Sequence, residues 1–380
     1  MFDPDFIGLL TGAVGGEKAG IVLEALSSDP SVSVRLNPMK LDEVPFPDAV
    51  RVPWSPYGWL LRERPSFTLD PLFHAGCYYV QDSSAMAAGE VFRRMLDRLP
   101  ADPVVLDLCA APGGKTTDLS ASLRERFEDR FTLVANEVVR SRFRILRENV
   151  AVWGDARTGV VSRDPSAFPD RPVFDAVLAD VPCSGEGMFR KDPKAVQDWS
   201  LRTVDFCAAR QRRILSSVWP SLKEGGILVY STCTFNRLEN DGNVAWIASE
   251  LGADILDAGE IPGVERTEHG YVLLPGLVPG EGQYVAALRK TAPAARPYRG
   301  DILRDLGAEM PVETDSLPEY DLDRETALRY LHGDALRLPD DAPKGLLLVT
   351  YLGHPLGRVK NLGSRCNNLY PKERRIRMDI

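Results

Sequence analysis

Two cysteines stand directly after apolar runs of the chain, where their thiols could act as nucleophiles. Cys183 ends the run Ala179-Asp-Val-Pro-Cys183, and Cys233 ends Leu228-Val-Tyr-Ser-Thr-Cys233. Asp180 adds a carboxylate three residues before Cys183. A single buried cysteine is more often a small hydrophobic core residue than a catalytic group. Two thiols at strand ends beside an acid favour nucleophilic catalysis instead.

A glycine-rich turn after an earlier apolar run is typical of a ligand-binding corner. The run Val105-Leu-Asp-Leu-Cys109 leads into Ala-Ala-Pro-Gly-Gly-Lys and then into a helical pattern. In an open α/β sheet, ligands bind at the carboxyl ends of the strands, where glycine allows close approach and a helix offers free N–H groups. A Walker loop is excluded because it would need glycine in place of Cys109, and no G-x-G-x-x-G motif is present. An ordinary tight turn without a ligand is the alternative interpretation.

Acidic residues follow the next two predicted strands and could bind the ribose and the adenine of a nucleoside cofactor. Glu137 ends Val134-Ala-Asn-Glu137, where doubly wound folds use an acid to accept hydrogen bonds from ribose hydroxyls. Taken alone, Glu137 could equally be a solvated residue at a helix start. Asp164 follows the next strand and suits an exocyclic amine. Asp155 is the rival candidate, and Asp164 is preferred because Asp155 precedes the strand.

The elements that must position these residues form three regions. Residues 1–75 contain an apolar-periodic stretch over 7–26, interrupted at 12–16, and a strand-like segment over 31–36, which predict a small α+β module. Residues 76–290 alternate apolar strands with helical patterns, which predicts a parallel sheet covered by helices on both faces. The predicted strands are 104–108, 133–136, 160–162, 175–179 and 226–231. A linker over 291–298 precedes a third domain at 298–380.

The bulk composition is that of a globular protein with reduced thiols. The 380 residues are 44% hydrophobic and carry a formal net charge of -8, which repels a polyanion and makes nucleic-acid binding depend on local basic patches. The six cysteines show neither a C-x-x-C pair nor a zinc spacing, so we expect no disulfide scaffold and no metal. Neither a basic leader nor an apolar run of about 18 residues is present. We therefore expect a cytoplasmic protein without a membrane partner.

A basic patch of this kind lies near the C terminus, over residues 358–377. It contains seven basic residues and one acidic residue, and the difference gives a local net charge of +6. Basic side chains together with Tyr370 and several amides suit phosphate contact and base stacking. A solvated basic tail is the alternative interpretation. We expect this run to bind RNA.

Three motifs give the chain a resemblance to a known family. They are Asp107-Leu-Cys-Ala-Ala-Pro-Gly-Gly-Lys115, Asp180-Val-Pro-Cys-Ser-Gly-Glu-Gly187 with Arg190-Lys-Asp-Pro193, and Tyr230-Ser-Thr-Cys-Thr-Phe235 with Glu239-Asn240. In this order they resemble the RNA cytosine-5 methyltransferases of the NOL1/NOP2/sun family, most of all its ribosomal small-subunit methyltransferase F branch. The similarity extends over nearly the whole chain, through Val34-Arg-Leu-Asn37, Tyr78-Tyr-Val-Gln-Asp-Ser-Ser84 and Asn367-Asn-Leu-Tyr-Pro-Lys372. Leu274-Pro-Gly276 departs from the Pro-His of many relatives, which puts no catalytic residue in doubt.

The resemblance implies a Rossmann-like, S-adenosylmethionine-dependent methyltransferase domain between the α+β N-terminal module and a C-terminal PUA-like domain. It implies that Cys233 attacks C6 of cytosine, that Asp180 hydrogen-bonds N3, and that Cys183 assists product release. The residues expected to bind the cofactor are Cys109, Ala110, Ala111, Pro112, Gly113, Gly114, Lys115, Glu137, Asp164 and Asp180. Lys115 is also a candidate for a charge that favours the Cys233 thiolate. Arg190 and Lys191 either hold a phosphate or are solvated.

The expected function is methylation of C5 of cytosine in RNA by a monomer. Family analogy alone favours 16S ribosomal RNA over transfer RNA. The alternatives are a non-catalytic ribosome assembly factor and a methyltransferase that acts on small molecules or protein. DNA cytosine methyltransferases use the cysteine of a Pro-Cys motif such as Pro182-Cys183, but the second cysteine favours RNA as the partner and not DNA. The sequence specifies neither the target nucleotide nor the number of sites.

Overall fold

The structure is a computed structural model that describes residues 2–293, 298–311 and 317–380. Four residues of the predicted linker, 294–297, lie outside the described residues. Within the described ranges the strands form three sheets, of four, nine and four strands. In those same ranges, no helix combines the length and the apolar character that a membrane crossing requires.

The N-terminal part contains three helices and a small antiparallel sheet. The apolar-periodic stretch folds as α1 (Pro4–Val14) and α2 (Gly16–Ala25), and the break between them lies at Gly15, whose φ of 86° suits glycine. The strand predicted over 31–36 is confirmed as β1 (Val32–Leu36). The sheet has the order β2-β3-β1-β4 and is completed by β2 (Val50–Arg51), β3 (Gly58–Leu61) and β4 (Tyr78–Val80). The short helix α3 (Pro71–His74) precedes β4.

The central sheet combines a parallel half with an antiparallel half. Its order is β11-β12-β13-β9-β8-β5-β6-β7, with β10 paired to β13. The strands are β5 (Val104–Asp107), β6 (Thr132–Asn136), β7 (Thr158–Val161), β8 (Phe174–Asp180), β9 (Leu222–Thr232), β10 (Ala253–Leu256), β11 (Glu265–Arg266), β12 (Tyr271–Leu273) and β13 (Gln283–Lys290). The helices are α4 (Ala87–Arg93), α5 (Gly114–Phe127), α6 (Arg140–Trp153), α7 (Pro193–Asp198), α8 (Leu201–Val218) and α9 (Asp241–Trp246).

The five strands predicted for this sheet are confirmed as β5 to β9, which pair in parallel. The antiparallel strands were not predicted. β13 pairs with β9 over six residues and is almost wholly buried, so its sequence does not alternate between apolar and polar residues. That pattern does not reveal strand direction, because a buried strand reads as one apolar run in either orientation.

Both faces of the central sheet are covered, as predicted. Neighbouring strand residues point to opposite sides, so Val105 packs into one apolar cluster and Leu106 into another. The Leu106 side includes residues of α1 and α2, among them Phe6 and Val22. Each fully buried aliphatic or aromatic side chain contributes about 1.5–3 kcal/mol. The N-terminal helices therefore share a core with the central sheet and help to hold its strand ends in place.

The C-terminal part forms the third sheet, in the order β14-β15-β16-β17. Its elements are α10 (Ile302–Leu306), β14 (Glu319–Asp321), α11 (Arg324–His332), β15 (Gly345–Tyr351), β16 (His354–Asn361) and β17 (Cys366–Asn368). The basic run 358–377 is therefore not a free tail, because it includes most of one strand pair.

The prediction that Tyr370 stacks on a base is wrong. The Tyr370 side chain is 2% exposed, and its ring lies edge-on to Tyr330 at 5.3 Å between centroids. Arg374 covers the Tyr370 ring at 5.3 Å. An aromatic residue in a basic run can belong either to the surface or to the core, and here burial of its apolar ring decides the outcome.

Candidate active site

The two predicted thiols lie side by side. β8 and β9 are parallel neighbours, with Asp180 paired to Ser231, so the loops after them leave the same edge of the sheet. This arrangement places Cys183 Sγ 3.3 Å from Cys233 Sγ. The contact with Cys233 and then burial raise the pKa of Cys183 well above its ordinary value. Cys183 is therefore protonated near neutral pH and can donate a hydrogen bond to the Cys233 sulfur.

Asp180 and Lys115 form an ion pair at the same edge. Lys115 Nζ lies 2.9 Å from Asp180 Oδ2, and the two side chains are 13% and 30% exposed. Burial opposes the ammonium charge, but attraction and hydrogen bonding to Asp180 outweigh it, and the pKa of Lys115 is raised. Lys115 thus remains charged beside Asp180, and its expected effect on the Cys233 thiol stays a prediction.

The glycine turn, residues 109–115, connects the end of β5 to the start of α5. Gly113 stands at the helix N-cap with φ 112°, in the left-handed region that favours glycine. The Thr116 hydroxyl donates to Asp107 Oδ2 at 2.6 Å. Asp107 Oδ1 is buried and accepts no hydrogen bond from the described residues. This corner therefore contains a buried carboxyl oxygen to which a hydrogen-bond donor of a ligand could donate. Burial also raises the pKa of Asp107 to about 7.

The N-terminal sheet contacts the glycine turn from outside. Arg35 of β1 is fully buried, and its Nη2 donates to the Gly114 carbonyl at 3.1 Å and to the Thr117 hydroxyl. The Tyr79 hydroxyl donates to the Pro112 carbonyl at 3.2 Å. Two carbonyls of the turn are therefore held by side chains from β1 and β4. The sequence motifs at 34–37 and 78–84 indicated these two segments, but they did not predict that the segments contact the glycine turn.

The three acids considered for the cofactor occupy different positions. Glu137 follows β6, is 3% exposed, and accepts from the Val139 N–H at 2.8 Å. Asp164 is exposed after β7, where hydrogen bonds from Ser166 hold its pKa below the ordinary value. Asp155 is buried before β7 and pairs with Arg124 at 2.6 Å. Glu137 and Asp164 therefore lie at the carboxyl edge of the sheet, whereas Asp155 serves an internal ion pair at the opposite end of its strand.

For Arg190 neither interpretation is correct, whereas Lys191 is exposed at the surface, in agreement with the solvated interpretation. Arg190 Nε lies 2.7 Å from Glu281 Oε2, with side chains only 7% and 5% exposed, so its guanidinium is neither solvated nor free for a phosphate. Lys191 Nζ lies 3.1 Å from Asp82 and 3.5 Å from Glu281. Glu281 lies 91 residues from Arg190 in sequence and Asp82 lies 109 residues from Lys191, so a local sequence pattern cannot detect these partners.

Sequence reasoning also missed two buried carboxylates beside the thiols. Glu186 and Glu239 are 1% and 0% exposed, and both hydrogen-bond across the loops that carry Cys183 and Cys233. The signal was present, because both residues lie in or next to the quoted motifs. No group of His, Cys, Asp and Glu side chains suited to a metal ion occurs in the ranges that the structure describes.

Comparison with known protein families gives three consecutive matches. Residues 95–289 match the family described as 16S rRNA methyltransferase RsmB/F. Residues 4–83 match the N-terminal domain of 16S rRNA methyltransferase RsmF, and residues 317–376 match the methyltransferase RsmF PUA domain. The expected fold class, a Rossmann-like methyltransferase domain between an N-terminal module and a PUA-like domain, is therefore confirmed.

Individual relatives agree with this assignment. Ribosomal RNA small subunit methyltransferase F of Pectobacterium atrosepticum is 36% identical over 296 residues, which covers 70% of this chain and 58% of that protein. The Shigella dysenteriae protein of the same name is 35% identical and covers 68% and 57%. The chain thus spans less than two thirds of the length of these relatives.

Solved structures share the fold. NSun6 from Pyrococcus horikoshii, solved with SFG, has a TM-score of 0.64 at 20% identity and covers 77% of this chain and 99% of its own. A methyltransferase homolog protein from the same organism has a TM-score of 0.62 at 26% identity, with coverages of 76% and 99%.

S-adenosylmethionine is the cofactor of this class of methyltransferases, and the glycine corner fits it. The corner offers the unsatisfied Asp107 oxygen, the backbone of the turn, the N-terminus of α5 and the Glu137 carboxylate at the next strand end. The first family match alone covers more than half of the 380 residues. On these grounds the chain belongs to the 16S rRNA methyltransferase RsmB/F family.

Proposed function

We propose that this chain methylates C5 of cytosine in RNA, with 16S ribosomal RNA as the substrate and Cys233 as the nucleophile. The observation that carries the proposal is the pair of thiols, 3.3 Å apart, on the sheet edge that also holds the Lys115–Asp180 ion pair. The names of the curated relatives, ribosomal RNA small subunit methyltransferase F, support the choice of RNA.

The chemistry explains the need for a thiol. C5 of cytosine is a poor nucleophile, so a bond from Cys233 Sγ to C6 is needed to push electron density onto C5. Asp180 hydrogen-bonds N3 as the ring gains that electron density, and the Lys115 ammonium 2.9 Å away is a proton source for this contact. S-adenosylmethionine, when bound, supplies a methyl group on a positively charged sulfur. Lys115 and the glycine turn are the residues that would hold this cofactor.

In release, solvent water takes the C5 proton, the electron pair of that C–H bond re-forms the C5–C6 double bond, and the bond between C6 and Cys233 breaks. The electron pair of that bond returns to Cys233 as a thiolate. Cys183 is protonated and 3.3 Å away, so it can donate a hydrogen bond to the departing sulfur. A leaving group whose negative charge is stabilised in this way departs faster. This role agrees with the assistance in product release implied for Cys183 by the motif resemblance.

The terminal modules are proposed to bind the RNA. The net charge of the run 358–377 is +6, as the difference of seven basic residues and one acidic residue, against -8 for the whole chain. The basic side chains Arg358 and Arg377 form no ion pair among the described residues.

The proposal also includes three domains, at 1–75, 76–290 and 298–380, and a monomeric state. It includes cofactor binding by Glu137 and Asp164.

The test is bisulfite sequencing of ribosomal and transfer RNA from cells with and without the gene, complemented with wild type or Cys233→Ala. A cytosine that is unmodified after deletion and is restored by wild type alone supports both the reaction and the nucleophile. A cytosine modified in this way in transfer RNA would identify transfer RNA as the substrate, in place of ribosomal RNA. No change in either pool would favour the assembly factor.

The two thiols are distinguished by adduct trapping on a denaturing gel. Cys183→Ala should accumulate a covalent complex of protein and RNA, because release is impaired, whereas Cys233→Ala should form none. Accumulation with Cys233→Ala would reverse the assignment of the two cysteines.

A further inference from the structure

The two loops that carry the thiols are joined by side chains that the proposed chemistry does not use. The first thiol loop comprises residues 181–187 and the second comprises residues 233–240. Glu186 belongs to the first loop and reaches the second, where its Oε2 accepts from the backbone N–H groups of Phe235 at 2.6 Å and Asn236 at 3.1 Å. Its Oε1 accepts from the Trp199 indole at 3.2 Å. Both carboxylate oxygens are thus used.

Glu239 makes the reverse connection. It belongs to the second thiol loop and accepts from the backbone N–H of Ser184 at 3.0 Å in the first. The Gln211 amide of α8 donates to Glu239 at 2.7 Å and to the carbonyl of Pro182 at 3.0 Å. The residues on either side of Cys183 are therefore both held through Gln211 and Glu239.

A single amide links the two carboxylates. Asn236 Nδ2 lies 2.9 Å from an oxygen of Glu186 and 2.9 Å from an oxygen of Glu239. A primary amide has two N–H donors, which is enough for one hydrogen bond to each carboxylate. The backbone adds a further link, because the Gly187 N–H donates to the Cys233 carbonyl at 2.8 Å. Ser184 and Thr234, which follow the two cysteines, also share a hydrogen bond between their hydroxyls at 2.9 Å.

This network is costly to bury. Neither Glu186 nor Glu239 forms an ion pair with a cation among the described residues, although both are almost fully buried. Burial raises the pKa of Glu239. Buried carboxylates without a cation are stable only when several N–H donors compensate for lost water, as they do here. A well-packed apolar pair would hold the loops together with less cost but without fixing their relative position by directed hydrogen bonds.

We infer that Glu186 and Glu239 are positioning residues that keep the two thiols at the separation needed for release of the RNA. The inference rests on the proposed function. The contact between Cys183 and Cys233 is one weak hydrogen bond at 3.3 Å, and it is lost when either loop moves by about one ångström. Substitution of either glutamate should therefore leave attack by Cys233 largely intact and slow the departure of its sulfur.

The experiment compares Glu186→Gln and Glu239→Gln with wild type and with Glu90→Gln, a control in α4 whose carboxylate pairs with Arg93 and Arg94. Glutamine keeps the size but directs an amide N–H group toward donors, so the links between the loops are disturbed. Single-turnover methylation, the steady-state fraction of enzyme trapped as covalent adduct, the affinity for S-adenosylmethionine and the melting temperature are measured. We expect the trapped fraction to rise about tenfold in both test variants and to stay at the wild-type level in Glu90→Gln.

Asn236→Ala provides a second route if a glutamate variant does not fold, since it removes the shared amide and keeps both carboxylates. It too should accumulate adduct. Loss of activity together with lost cofactor affinity or melting temperature, without adduct accumulation, would overturn the inference, as would unchanged turnover. Cys183→Ala in the same assay separates this result from the proposed function. If that variant traps no adduct, the proposed roles of the two cysteines are wrong, and the failure lies in the proposed function and not in the inference about the glutamates.

Discussion

The buried ion pair of Arg190 and Glu281 gives a prediction that separates a structural role from RNA binding. The guanidinium contacts both carboxylate oxygens, at 2.7 and 3.0 Å, and both side chains are less than one tenth exposed. Arg190→Met leaves Glu281 buried with only Lys191, 3.5 Å away, as a cation. Breaking a buried pair by removing one partner costs about 3–5 kcal/mol. Because Lys191 remains, we expect a loss of about 3 kcal/mol in the free energy of unfolding.

The assay is equilibrium unfolding in urea, with Arg266→Met as the matched control. Arg266 pairs with Asp257 at 2.9 Å, but these side chains are 50% and 64% exposed, so the free energy of unfolding should fall far less than in Arg190→Met. Equal losses in the two variants would refute the reasoning from burial. A normal unfolding free energy for Arg190→Met, combined with weaker and less salt-dependent RNA binding, would instead restore the phosphate-binding interpretation of this arginine.

Three further predictions follow from the site and from the C-terminal sheet. Gly113→Ala should lower the affinity for S-adenosylmethionine measured by calorimetry, because a residue with a Cβ atom adopts a φ of 112° only at a cost of about 1–3 kcal/mol. Unchanged affinity would contradict a cofactor-binding role of this turn. Burial raises the pKa of Asp107 from 3.8 to about 7, so the folded state binds more protons than the unfolded state between these pH values. The free energy of unfolding without cofactor should therefore fall by up to about 4 kcal/mol as pH rises through that window. Asp107→Asn should flatten this dependence in urea titrations at pH 5 and 8, and parallel pH profiles of wild type and variant would disprove it. Because Tyr370 is buried, Tyr370→Ala should lower the free energy of unfolding by about 3–5 kcal/mol. Arg377→Gln should reduce the slope of log affinity for RNA against log salt concentration by about one. Normal stability of Tyr370→Ala together with weaker RNA binding would show that Tyr370 contacts RNA.

The central half of the fold was predictable because its signal is local. The strands that end at Asp107, Asn136 and Asp180 are continuous apolar runs followed by a glycine turn, an acid or a proline, and such runs predict buried parallel strands. Parallel neighbours end at one edge, so the approach of Cys183 and Cys233 was predictable from their positions after two such strands. Their 3.3 Å separation was not, because it depends on the hydrogen bonds between the loops.

What could not be predicted depends on contacts between distant segments. Glu281 neutralises Arg190 across 91 residues, and Glu239 holds Ser184 across 55. A charged residue in a motif has the same local pattern whether its partner is a phosphate, water or a buried carboxylate. Tyr370 was assigned to the surface for the same reason, since its basic neighbours indicate exposure while its ring packs on Tyr330.

The hydrogen bonds from Arg35 and Tyr79 fix the glycine turn against the N-terminal sheet. The carbonyls of Gly114 and Pro112 accept these hydrogen bonds, so the turn cannot move relative to the N-terminal sheet without breaking contacts to residues 79 and 33 positions earlier in the chain. If the turn binds the cofactor as proposed, its occupancy and the folding of the first 80 residues would be thermodynamically linked. Filling the site should slow amide exchange in β1 and β4, and removing the N-terminal sheet should loosen the grip on the methyl donor although no residue of the turn has changed.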